Sequence, residues 1–157
     1  DAAARDEALT AAVFERLTLH DEGETLEGAA MRVALSGPAD DETLFEAFRS
    51  GHFSLFVATL AVRARVDYGS AFTMATDPTI GALAVVLRAI DATTEVAASI
   101  LLQMAAINGL DEAKLEERVN DYLDLELEAA REAIRPWRLD RAFRTAIADI
   151  GRERRAR

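Results

Sequence analysis

The sequence predicts an all-α fold, an α-α superhelix of eight to nine helices in a HEAT-like helical array. Three observations predict it. Apolar residues recur every three to four positions over nearly the whole chain. No segment alternates with period two, so no sheet is expected. Alanine and leucine dominate, with only three prolines in 157 residues. Half of the residues are hydrophobic and cysteine is absent, so one domain must build its core without disulfides. A chain of this length buries roughly 70% of the surface it exposes when unfolded. The chain opens on Asp1 and shows no targeting peptide, which reads as the edge of a longer protein.

The elements follow in order. Leu9, Val13, Phe14 and Leu17 predict an amphipathic helix over about 2–19, broken by "HDEGE" at 20–24. Leu26, Ala30 and Val33 give a second helix, with Met31 and Leu35 broadening its stripe. "SGPADD" at 36–41 is a turn: Gly37 is expected in a left-handed cap, and Asp40 or Asp41 caps the next helix. That helix carries Leu44, Phe45 and Phe48 and ends at Ser50-Gly51. Phe53, Phe56, Val57, Leu60 and Ala64 set the stripe of the next, with His52 an exposed residue at its start. After Val66-Asp67, a short helix about Tyr68–Ala75 is expected to bury Ala71 and Phe72.

"ATDPTIG" at 75–81 predicts a start capped by Thr76 or Asp77, with Pro78 at the first helical position. Ile80, Leu83, Val86, Leu87 and Ile90 follow. "DATTE" at 91–95 caps a helix with Val96, Ile100, Met104 and Ile107, which stops at Asn108-Gly109. These two helices are apolar on more than one side and are expected to be the central, most buried pair. Asp111 starts the longest helix, about 111–134, which Pro136 ends or kinks. Leu139, Phe143, Ala146, Ile147 and Ile150 make the last helix, and residues 135–157 form a basic C-terminal helix and tail. The pairs 53–65/68–75 and 79–90/94–107 read alike, which suggests stacked helix pairs.

The stretch Leu44–Ala105 resembles an uncharacterised alphaproteobacterial domain-of-unknown-function family. The matching residues are Phe48, Arg49, Gly51, Phe56, Leu60, Ala61, Asp77, Ala82, Leu83, Leu87, Arg88 and Ala89. The family's pattern carries an acidic residue where His52 stands, and Met74-Ala75 departs from its usual pair before the aspartate. The resemblance implies a HEAT-like array and brings no activity or catalytic residue.

Charge narrows the function. The net charge is −10, yet residues 131–157 hold nine arginines against four acids. That end is therefore +5 and the rest of the chain −15. An acidic body repels nucleic acid and anionic membrane, and leaves the basic end as the one polyanion candidate. The longest uncharged run, Val96–Leu110, has 15 residues and is too short for a span of about 20. Because it also carries Ser99, Gln103 and Asn108, it reads as a buried helix. "HDEGE" lacks the alternating oxygen ligands of a calcium loop. Glu117/Asp121 and Glu128/Glu132 share helix faces, but that helix has no histidine for a di-metal site. No phosphate loop, nucleophile elbow or zinc motif occurs. No catalytic residue, metal ligand or cofactor is expected.

What remains is a surface. "RPWRLDRAFR" concentrates Arg135, Trp137, Arg138, Arg141 and Arg144, and arginine and tryptophan are enriched at binding hot spots. These five are the expected partner-binding residues. The sequence thus predicts a cytoplasmic, non-enzymatic interaction or regulatory module that binds another protein or its own copy. The alternatives are an enzyme with a carboxylate-lined pocket between helices, or weak nucleic-acid binding through the arginine-rich end.

Overall fold

A computed structural model describes residues 25–138 together with Ala146 and Ile150. Every regular element among the described residues is helical: α1 Leu26–Ser36, α2 Asp41–Arg49, α3 Phe53–Ala64, α4 Tyr68–Ala75, α5 Gly81–Ala89, α6 Thr94–Ile107, α7 Glu112–Asp124 and α8, residues 127–138. The expected first helix, the "HDEGE" loop and nearly all of 139–157 lie outside the described residues.

Local chemistry sets the boundaries. Five helices start on a side-chain cap. Thr25 accepts from the Gly28 amide, Asp40 from Thr43, Asp67 from Ser70, Thr93 from Val96 and Asp111 from Lys114. Each such cap contributes about 1 kcal/mol. Four helices end on one turn design. The amides of His52, Val66, Ala92 and Leu110 each reach back five residues, to the carbonyls of Ala47, Ala61, Leu87 and Ala105. The residue before each amide is left-handed: Gly51, Arg65, Asp91 and Gly109. This is the Schellman closure, which satisfies carbonyls the helix leaves unpaired.

The core is organised around α3. Leu55, Phe56, Val57, Ala58, Thr59, Leu60, Ala61 and Ala64 are all buried. α3 packs on α1, α2, α4 and α5, while α6 lies against α5, α2 and α7. The buried Thr59 hydroxyl donates to the Leu55 carbonyl, so the polar atom is satisfied inside its own helix.

Arginines tie helix ends together. Arg63 donates to the Ile90 carbonyl, Arg131 to Ala89, Arg88 to Leu125 and Arg138 to Ala64. Each guanidinium sits where a helix C-terminus is partly negative and short of donors. Arg131 and Arg138 thereby hold α8 on the ends of α5 and α3, and Ala130 and Ile134 of α8 join the core.

Several sequence expectations change here. Gly37 is extended, not left-handed. It precedes Pro38, and the proline ring pushes the residue before it into the extended region. Pro78 does not open a helix. It stands in a turn in which the Asp77 carboxylate accepts from Thr79 and from the Ala82 amide. α5 starts only at Gly81, after a left-handed Ile80. The 111–134 helix is broken at Leu125-Glu126, where Arg88 takes the Leu125 carbonyl. Pro136 lies within the helical span 127–138. Leu26, Leu35 and Phe72 are exposed, and α3 rather than the α5–α6 pair is the most buried helix.

Candidate functional site

The surface of interest forms where α6 fails to bury all of its apolar residues. Ala97, Ile100, Leu101, Met104 and Ala105 face the core. Their spacing of three and four is one helical stripe. Leu102, Gln103, Ala106 and Ile107 are exposed on the other side, Ile107 by 72% and Leu102 by 49%. Beside that face lies a groove of about 380 Å³, lined by Phe48, Phe53, Thr76, Met104 and Ile107 among others. Among the described residues its lining carries no charged side chain.

Two of the groove's lining residues, Phe48 and Phe53, belong to a chain of aromatic contacts. Phe56, fully buried in α3, meets Phe48 at 5.0 Å and Phe53 at 5.8 Å between ring centroids. Phe53 meets Phe72 edge-on at 6.3 Å, and Phe72 lies over Tyr68 at 6.4 Å. The ladder runs from the core to a Phe72 that is 44% exposed. Edge-on and tilted pairs of this kind add about 0.5–1.5 kcal/mol beyond burial. Sequence periodicity misses the groove because the same spacing describes a buried stripe and an exposed one. The clue it holds is the absence of charge across Val96–Leu110.

A second hollow, about 330 Å³, adjoins at Asn108 and includes Thr79, Asp111, Lys114, Glu117 and Arg118. Its carboxylates are Asp111 and Glu117. Asp111 caps α7 at 2.8 Å from the Lys114 amide, and Arg118 pairs with Asp121 at 3.2 Å.

Asp41 joins three elements at the N-terminal end of α6. It accepts from Arg63 at 2.6 Å and from the Thr93 amide, at the start of α6, at 2.8 Å. Burial alone would raise the Asp41 carboxyl. The Thr93 amide and the Arg63 guanidinium outweigh that and hold it below the ordinary carboxylate range. The same balance lowers Asp77, whose partial burial is outweighed by the Ala82 and Thr79 hydrogen bonds and by Arg118. Both are structural anchors. Burial raises the Tyr122 phenol, which packs in the core.

The sequence-predicted surface divides. Arg135 is exposed and pairs with Glu132 at 3.0 Å. Trp137 is 37% exposed. Arg138 turns inward to the Ala64 carbonyl at 2.7 Å. Arg141 and Arg144 lie outside the described residues. His52 stands at the start of α3, half-buried, and makes no side-chain cap bond. Among the described residues no group of three His, Asp or Glu side chains is placed to hold a metal ion. No described helix is long and apolar enough to cross a membrane. No family model, no curated protein and no solved structure matches this chain.

Proposed function

We propose that this chain is a non-enzymatic, cytoplasmic interaction or regulatory module that docks another protein on the α6 face and its groove. The observation that carries this reading is an uncharged, partly aromatic surface on a chain of net charge −10. Contiguous exposed apolar surface rimmed by polar residues is characteristic of interaction sites. Of the residues on which the proposed likeness to an alphaproteobacterial family of unknown function rests, Phe56, Leu60, Ala61, Leu83, Leu87 and Ala89 are buried, whereas Phe48, Arg49, Gly51, Asp77, Ala82 and Arg88 are not.

A second docking surface is favoured by the exposed Trp137 beside Arg135. Affinity capture from native cytoplasm, run with the parent chain, Ile107→Glu and Trp137→Ala, separates the two. Loss of a captured protein with Ile107→Glu alone supports the α6 face, and loss with Trp137→Ala alone moves the surface to α8. Capture unaffected by either overturns both.

A further inference from the structure

We infer that Leu125-Glu126 is a hinge held bent by the rest of the fold, with Arg88 as its catch. When the catch is released, residues 112–138 form one continuous helix and α8 leaves the ends of α3 and α5.

The bend has no local cause. Only Leu125 and Glu126 interrupt the helical run from Glu112 to Arg138. No glycine or proline stands between Glu112 and Arg135. The residues at and after the break, Leu125, Glu126, Leu127, Glu128 and Ala129, are all good helix formers. A helix without such breakers kinks where a foreign group enters its ladder of hydrogen bonds. Arg88 is that group. In an unbroken helix the Leu125 carbonyl would accept from the Ala129 amide. Here it accepts from Arg88 Nε, at the end of α5, at 2.9 Å.

Burial explains why the fold demands the bend. Tyr122, Glu126 and Ala130 are spaced by four and would share one face of an unbroken helix. Tyr122 and Ala130 are buried, whereas Glu126 is exposed. An unbroken helix that kept both neighbours in the core would carry the Glu126 carboxylate in with them, at a large desolvation cost. A docked α8 therefore requires the bend, and an unbroken helix requires α8 to leave the core. Each state excludes the other, which makes the segment a two-position element.

The attachment of α8 is slight. Of its 12 residues it buries Ala130 and Ile134. Arg131 reaches the Ala89 carbonyl at 3.4 Å and Arg138 the Ala64 carbonyl at 2.7 Å. Both carbonyls stand at helix ends, where water can replace the guanidinium. Elements with few buried apolar side chains open at less cost than the core does. α8 also carries Arg135 and Trp137, so the hinge decides where that exposed pair stands against the rest of the chain.

Two readouts on the whole chain test this. Trp137 is the only tryptophan, so its fluorescence reports on α8 alone. The Cα chemical shift of Leu125 reports its backbone, which is extended at φ −77° and ψ 115°. Arg88→Ala should move Leu125 to a helical shift and raise acrylamide quenching of Trp137 at least about twofold. Glu126→Pro removes an amide that the unbroken helix needs and favours an extended Leu125. Added to Arg88→Ala, it should restore both readings to the parent's. Arg135→Ala loses an exposed ion pair with Glu132 and should leave the Leu125 shift unaltered. A Leu125 that stays extended in Arg88→Ala overturns the inference, whether or not Trp137 gains exposure. So does a double variant quenched as strongly as Arg88→Ala. The Arg88 side chain is 30% exposed, so cooperative thermal unfolding should persist without it. If Arg88→Ala and the milder Arg88→Gln both abolish that cooperativity, Arg88 is a core residue and not a catch, and the inference fails.

Discussion

α3 and α6 are the two most apolar long helices of the molecule, and they meet opposite fates. α3 (Phe53–Ala64) buries eight of its 12 residues beneath four neighbours. α6 (Thr94–Ile107) buries five of 14 and leaves Leu102, Ala106 and Ile107 in solvent. Composition does not distinguish them. What does is the number of elements that the chain supplies around each. Neighbours before and after α3 fold back over it, whereas among the described residues one side of α6 has no such cover. Hydrophobicity drives burial without direction, so a helix surplus to the core keeps its apolar face for something else. That difference is what makes α6, and not α3, the candidate for contact with another molecule.

The most damaging change to this contrast falls in α3. Phe56→Ala should cost about 3–5 kcal/mol, since it removes a fully buried ring and the centre of the aromatic ladder. Urea unfolding measures this. A loss under about 1 kcal/mol would mean that α3 is not the centre of the core.

Next comes the link between the two helices. Asp41 bonds Arg63 of α3 and the amide that opens α6, so Asp41→Ala should cost about 1–3 kcal/mol. The pH dependence follows from the direction of its shift. The carboxyl is lowered in the folded protein, so its contribution is present above the unfolded value of about 4. It is lost as pH falls through the lower folded value, where both states become protonated. Asp41→Asn should flatten that part of the acid-denaturation curve. A variant whose stability still falls as steeply there would remove Asp41 from this role.

The helix ends sharpen the comparison further. Both α3 and α6 finish on a left-handed residue, Arg65 at φ 58° and Gly109 at φ 67°. Only glycine adopts that conformation without steric penalty. Gly109→Ala should therefore cost about 1 kcal/mol, and Arg65→Gly should gain about 0.5–1 kcal/mol in thermal or urea unfolding. If Arg65→Gly destabilises instead, contacts of the Arg65 side chain outweigh the relief of backbone strain. The smallest effect belongs to the α6 face. Ile107→Ala should change stability by less than about 0.5 kcal/mol, because the side chain is mostly in water. A loss of several kcal/mol would show that this face is part of the core.

The candidate site is only partly legible in the sequence. The arginine-rich run points to Arg138, whose head group instead closes the end of α3 at Ala64. Charge density in a sequence marks solvated groups and helix-end donors equally well, and only the partner's position decides between them. Periodicity puts Phe72 inside, yet it is exposed, because α4 is short and its neighbours cover only the side bearing Ala71, Met74 and Ala75. The groove joins Phe48, Phe53, Thr76 and Ile107 from four segments of the chain. No local pattern encodes that meeting.

By itself the sequence determined the helices, their caps and most of their turns. Those depend on bonds between residues at most five apart: Asp67 to Ser70, Thr93 to Val96, Val66 back to Ala61. Tertiary structure decided which apolar helix lies at the centre, where the 111–134 segment breaks and which arginines face inward. Those outcomes come from contacts such as Arg88 with Leu125 and Arg63 with Asp41, 37 and 22 residues apart. Periodicity shows that a helix has an apolar face, but how many neighbours arrive to cover it is settled only when the whole chain competes for the same core.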